Sequence, residues 1–179
     1  MRRIPILKTD RSATFKHIGT LEDFAVKTPI KEELFANKWC ALLYRGTPRD
    51  LFDVYQITKM DVDLETFRKC AIGDSLMRGE PKLHEINIED TINTIPIDSS
   101  LRNLLQTEKF AKFDFNEMRS QTMDFSKAVI SNLTKNEINV INQFFELKTF
   151  KPNLIDEKEI FHEKIKDHPA ILWALTKLA

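Results

Sequence analysis

The 179-residue chain carries 27 basic and 27 acidic side chains and a formal net charge of zero. That balance excludes a whole-molecule field able to hold it on nucleic acid or an anionic membrane, so any contact with nucleic acid has to be local. The length suits one core that buries roughly 70% of the unfolded surface, and two cysteines in apolar surroundings read as buried thiols rather than a disulfide framework.

No window reaches the apolar length of a membrane span, and the arginines of MRRIPILKTDR are not followed by an apolar stretch. Neither targeting nor insertion is expected, and a reducing cytoplasm fits best. With 4 Gly, 7 Pro and long runs of apolar residues at every third or fourth position, the fold class is mainly α, within α+β. The expectation is a helical bundle with a few short N-terminal β-strands and no complete sheet.

In chain order, Arg3 to Lys8, Thr14 to Ile18 and Leu21 to Val26 are β-branched or alternating and read as short extended pieces. Pro29 ends extension. Lys31 to Tyr44 then sets Leu34, Phe35, Lys38, Trp39, Leu42 and Leu43 at helical spacing. Gly46 closes that helix, Thr47 caps the next, Pro48 suits its first position, and Asp50 stands where an acid meets unpaired backbone N–H groups.

Further helices are expected at Leu64 to Arg78, Ile88 to Asn93, Ser99 to Thr107, Phe125 to Leu133, Lys135 to Leu147 and Pro169 to Leu178. Asp63 reads as a helix cap, so Asp61-Val62-Asp63 is a poor metal pair. A softer junction at Lys109 to Asp124 divides a strand-and-helix lobe, residues 1–108, from a C-terminal helical lobe, residues 109–179. Phe110, Phe113 and Phe115 in that junction predict that the two lobes pack together as one domain.

The corner after Gly46 concentrates the ionic chemistry. Lys38 and Arg45 are seven residues apart, two helical turns, so both heads leave one face of the first helix. On the second helix Arg49 and Asp53 stand at i, i+4, and Asp50 and Asp53 at i, i+3, so a carboxylate edge can face that stripe. Such a corner holds either a phosphate or a set of salt bridges. Capping also selects an acid at position 50, and an Arg49–Asp53 pair is also an ordinary surface ion pair. The four histidines are scattered without metal-ligand spacing, His168 before Pro169 caps or packs, and no P-loop, dinucleotide fingerprint or nucleophile elbow is present.

The ordered set Glu32, Glu33, Leu34, Ala36, Lys38, Ala41 and Leu42, followed by Arg45, Pro48, Arg49, Asp50, Leu51, Asp53 and Tyr55, resembles the AbiEii family of nucleotidyltransferase toxins. Leu133, Thr134, Glu137, Phe144, Asn153, Leu154, His168, Pro169, Leu172 and Trp173 extend the resemblance to the end of the chain. It implies a bacterial or archaeal toxin of a toxin–antitoxin or abortive-infection pair, with an antitoxin partner. It also implies the polymerase-β-like chemistry that uses an NTP with Mg2+ and, in some members, modifies tRNA. By the same resemblance Lys38 contacts the triphosphate, Asp50 is the acid of the last motif, and Arg45, Arg49 and Asp53 orient or support them.

The family's Gly-Ser loop and Asp-x-Asp metal ligands have no counterpart here, for the sequence holds no Gly-Ser dipeptide; by the resemblance Asp10, at the end of the first strand, stands in place of the acid on the family's last catalytic strand. What the resemblance implies is therefore the C-terminal portion of a larger enzyme, a split partner or a degenerate relative, inactive alone. The alternative is a non-catalytic helical module that binds tRNA, an antitoxin or another protein through Arg68, Lys69, Arg78 and Lys82. Which nucleotide, acceptor or oligomeric state applies is not written in the sequence.

Overall fold

The structure, a computed structural model, describes residues 5–16, 22–97, 101 and 113–178. A two-stranded antiparallel hairpin, β1 (Asp10–Phe15) and β2 (Phe24–Pro29), precedes the helices, with Ala13 opposite Val26 and Phe15 opposite Phe24. Among the described residues the helices are α1 (Lys31–Arg45), α2 (Pro48–Ile57), α3 (Leu64–Arg78), α4 (Ile88–Asn93), α5 (Phe115–Ser131), α6 (Lys135–Leu147) and α7 (Pro169–Lys177). The mainly helical expectation with an incomplete sheet is what the chain forms.

Local chemistry accounts for the helix ends. Gly46 takes the left-handed conformation, φ 64°, and its N–H closes α1 on the Leu42 carbonyl, which a Cβ would oppose. Thr47 and Asp50 form a reciprocal capping box on α2, with Pro48 at the first helical position. Asp63 caps α3 by accepting from the Glu65 N–H, and His168 caps α7 by accepting from the Ala170 N–H through Nδ1.

Two expectations shift. The fifth helix starts at Phe115 rather than Phe125, because Asp114 caps it through the Asn116 and Glu117 N–H groups, so residues 115–124 of the expected junction are helical, while residues 109–112 lie outside the described residues. Phe113 and Phe115 pack against each other, and Phe113 also meets Phe52 and Tyr55 of α2. The strands lie at Asp10–Phe15 and Phe24–Pro29, overlapping the second and third expected spans at residues 14–15 and 24–26; of the first span Leu7 forms an isolated bridge to Phe161, and residues 3–4, 17–18 and 21 of these spans lie outside the described residues. The expected helix at Ser99 to Thr107 falls outside the described residues, apart from the buried Leu101.

Helix α1 is the axis of the core. It lies along α3 and against α2, and it buries Ala36, Trp39, Cys40, Leu42 and Leu43. Trp39 stacks at 5.7 Å on Phe67 and donates its indole N–H to Ser126 Oγ at 2.9 Å, so its polar handle is satisfied inside the core. Cys40 and Cys70 are both buried, and the Cys40 thiol donates to the Ala71 carbonyl at 3.4 Å. One contiguous cluster of buried side chains runs from Ile6 to Ala174. Glu33, almost wholly buried, accepts hydrogen bonds from the Ile6 and Leu7 backbone N–H groups, and the same segment exchanges backbone bonds with Ile160 and His162. Thus α1 is clamped on one side and presents its other face outward.

Candidate functional site

The outward face of α1 and the start of α2 line an open groove of about 660 Å³, bordered by Leu34, Asn37, Lys38, Arg45, Arg49 and Asp53 among others. Every residue singled out at the corner by sequence, Lys38, Arg45, Arg49, Asp50 and Asp53, lines this groove. The spacing argument therefore brings them together correctly. Asp10 is elsewhere, paired with Lys27 at 3.5 Å across the hairpin.

Two ion pairs bridge the helices, and they differ in kind. Arg45 donates from Nε and Nη2 to both oxygens of Asp50, at 2.9 and 2.5 Å. Oδ2 of Asp50 also accepts from the Thr47 hydroxyl at 2.6 Å and the Thr47 N–H at 3.3 Å. The Asp50 side chain is 5% exposed. Burial would raise its carboxyl, but the bonds from Arg45 and Thr47 outweigh burial and hold it below the ordinary aspartate range. The bond and charge of Asp50 in turn push the Arg45 guanidinium up. This bidentate pair is a fixed latch across the turn.

Lys38 Nζ meets Asp53 Oδ2 at 2.5 Å, with side chains 47% and 28% exposed. A solvent-facing pair of this type contributes little stability, so a competing anion can take Lys38 at small cost. The expected Arg49–Asp53 pair does not form: Asp53 turns to Lys38, the closer cation across the turn. Arg49 is exposed on the groove and has no anionic partner among the described residues. Among the described residues it is the one corner cation without an acid to pair with.

The donor set does not fit a divalent cation. Both oxygens of Asp50 are taken by Arg45 and Thr47, and Asp53 is neutralised by Lys38, whereas Mg2+ needs carboxylate oxygens open to it. Among the described residues no three His, Cys, Asp or Glu side chains gather as a metal group, and Asp63 of the Asp-x-Asp is occupied as a cap.

The basic residues of the alternative reading are not a free patch. Arg68 pairs with Glu137, Lys69 with Glu65, Arg78 with Asp74, and Lys82 with Glu85 and Glu146. Helical spacing could have shown the local partners of Lys69, Arg78 and Lys82, at i, i+4 and i, i+3, but not Glu137 and Glu146, which come from a distant helix. It also missed the apolar end of the groove at Leu34 and Phe35, and Asn37, which an amphipathic pattern ranks as a spacer.

Among the described residues no helix is long and apolar enough to cross a membrane. Neither the curated proteins nor the solved structures give a match. The family model of the nucleotidyl transferase AbiEii toxin, a type IV toxin–antitoxin system, matches residues 2–165, nearly the whole sequence. With the ionic residues from Lys38 to Asp53 lining one groove and that match running through them, the chain belongs to the AbiEii nucleotidyltransferase toxin family.

Proposed function

We propose that the α1–α2 corner is the triphosphate-holding edge of a nucleotidyltransferase toxin, and that it takes an NTP whose phosphates lie against Lys38 and Arg49. The observation that carries this reading is Arg49, exposed on the groove that Lys38 also lines and without an anionic partner among the described residues. Lys38 supplies a point charge and Arg49 a planar fork, the two forms of cation suited to phosphate oxygens. Asp50 acts through its grip on Arg45, fixing that guanidinium and the turn. Asp53 holds Lys38 in place until phosphate replaces it.

Because Asp50 and Asp53 do not fit Mg2+, the corner is assigned phosphate binding and positioning, and no metal-dependent step is derived from it. The chain is accordingly a partial or degenerate member of its family with respect to transfer and inactive by itself. A tRNA acceptor, an antitoxin partner and a cytoplasmic setting in a prokaryote follow from family membership and belong to the same proposal.

The test is binding of inorganic triphosphate and of NTPs by calorimetry, with thermal unfolding alongside. Arg49→Ala and Lys38→Ala each weaken triphosphate about tenfold and leave the unfolding midpoint in place. An unfilled groove at millimolar triphosphate, or affinity indifferent to both substitutions, overturns the reading. Transfer of label from NTP to tRNA by this chain alone with magnesium would overturn the restriction to phosphate holding.

A further inference from the structure

The groove is polar in a directional sense. Leu34, Asn37, Lys38, Ala41 and Arg45 form a stripe along α1, at i, i+3, i+4, i+7 and i+11. From Leu34 to Arg45 it spans about 16 Å at 1.5 Å per residue. Its turn end holds Arg45 and Arg49, and its other end is the apolar pair Leu34 and Phe35. A ligand anionic at one end and flat and apolar at the other matches that order.

Asn37 sits between the two ends, with an amide that has no choice of orientation. Its Nδ2 donates to Oδ1 of Asp74 at 3.2 Å. Asp74 is 0% exposed on α3, and its Oδ2 accepts from Arg78 Nε at 2.7 Å. Both oxygens of that carboxylate accept, one from Arg78 and one from Asn37, so it is the NH2 of Asn37 that faces it. Arg78 reinforces the arrangement by donating from Nη2 to the Asn37 carbonyl at 3.3 Å. The side-chain Oδ1 is thereby turned away from Asp74. It has no donor among the described residues, it is not a buried unsatisfied atom, and its residue lines the groove.

We infer that Asn37 reads the nucleoside half of the bound nucleotide, its Oδ1 accepting a hydrogen bond from a nucleoside donor while Leu34 and Phe35 pack against the base. Asp74 and Arg78 are positioning residues that fix which atom Asn37 presents. A ribose hydroxyl and an exocyclic base amine are both such donors, whereas the carbonyl that uracil and guanine carry where cytosine has its 4-amine and adenine its 6-amine repels Oδ1, guanine keeping only its 2-amine on the other side of the ring. This inference rests on the proposed triphosphate site and adds a discrimination that the cations cannot make, since phosphates are common to all NTPs.

The experiment compares inorganic triphosphate with CTP, UTP, ATP, GTP and their 2′-deoxy forms on the full chain, in wild type, Asn37→Ala and the near-isosteric Asn37→Leu. Both variants are expected to lose about three- to tenfold affinity for the preferred nucleotide while triphosphate binds as before. The unchanged triphosphate affinity also reports an intact groove in each variant. Loss of discrimination between amino and keto bases assigns the base amine as the donor. Loss of discrimination between ribo and deoxy forms assigns the 2′-hydroxyl. If triphosphate binds but both Asn37 variants bind every NTP as wild type does, the inference fails and the phosphate site stands. If triphosphate itself does not bind, both fall.

Discussion

Two ionic clusters of this molecule invite comparison, the α1–α2 corner and the crevice between α3 and α6. The crevice is lined by Glu65, Arg68, Lys69, Glu137 and Glu157 and encloses only about 190 Å³. There the cations are matched by acids of the fold: Arg68 is held by the buried Glu137 at 3.4 Å, and Glu65 is shared between Lys69 and Lys158 at 2.8 and 2.7 Å. At the corner the matched pair Arg45–Asp50 stands beside the weakly held Lys38 and the unmatched Arg49. The number of cations is similar, yet one cluster joins helices and the other leaves charge on a groove. Unspent charge, rather than charge density, distinguishes a binding surface from a structural weld.

The sharpest way to break this contrast is at the crevice. Glu137 closes the capping box of α6 through the Thr134 N–H at 2.7 Å and also balances Arg68. Glu137→Ala leaves a mostly buried guanidinium unpaired and is expected to cost about 3 kcal/mol in urea unfolding, with triphosphate affinity at the corner untouched. A variant as stable as wild type would show that the crevice is no weld.

Next in size is Asp50→Ala, which removes the reciprocal cap of α2 and the bidentate partner of Arg45 and is expected to cost about 1–2 kcal/mol. Because the turn and the Arg45 guanidinium lose their anchor, triphosphate affinity should fall together with stability. A fall in triphosphate affinity with no loss of stability would instead place Asp50 in direct contact with the ligand and its bound ions.

Much of this was legible in the sequence, for local reasons. Helices α3, α4 and α6 end where periodicity and caps place them, and Thr47-Pro48-x-Asp50 announces its capping box by spacing alone. The meeting of Lys38 with α2 also follows from spacing, because only a two-residue turn intervenes. Partner choice was not legible. Asp53 sits four residues after Arg49 and fifteen after Lys38, and nearness in sequence favoured the wrong cation; the helix crossing decided for Lys38. Glu33 looks like an ordinary first-turn acid until the Ile6–Leu7 segment lands on it, and Asn37 looks like a spacer until Asp74 arrives from α3.

Acid titration gives a smaller effect that separates the clusters again. The bonds from Lys158 and then Lys69 hold Glu65 down at about 2. A carboxylate depressed on folding adds stability that is fully present above its unfolded pKa and is lost as the pH falls toward the folded value. In thermal scans from pH 6 to pH 2, Glu65→Gln should therefore melt below wild type at the upper end, and the gap should close below the ordinary glutamate range near 4. A gap independent of pH would mean that the Glu65 pairs are not the source of the difference.

The smallest stability effect is expected where the functional effect is large. Lys38→Met keeps the aliphatic stem on α1 and removes only the ammonium that meets Asp53, a pair open to solvent on both sides. Its stability should change by less than about 1 kcal/mol, in contrast to Glu137→Ala. Asp53→Asn frees Lys38 from its carboxylate and should leave stability similarly unmoved, but it should strengthen triphosphate binding, because the anion no longer has to displace an acid. The two substitutions thus push affinity in opposite directions on an unchanged scaffold. If both instead weaken binding alike, the Lys38–Asp53 pair works as one intact unit, and the corner resembles the crevice more than the contrast allows.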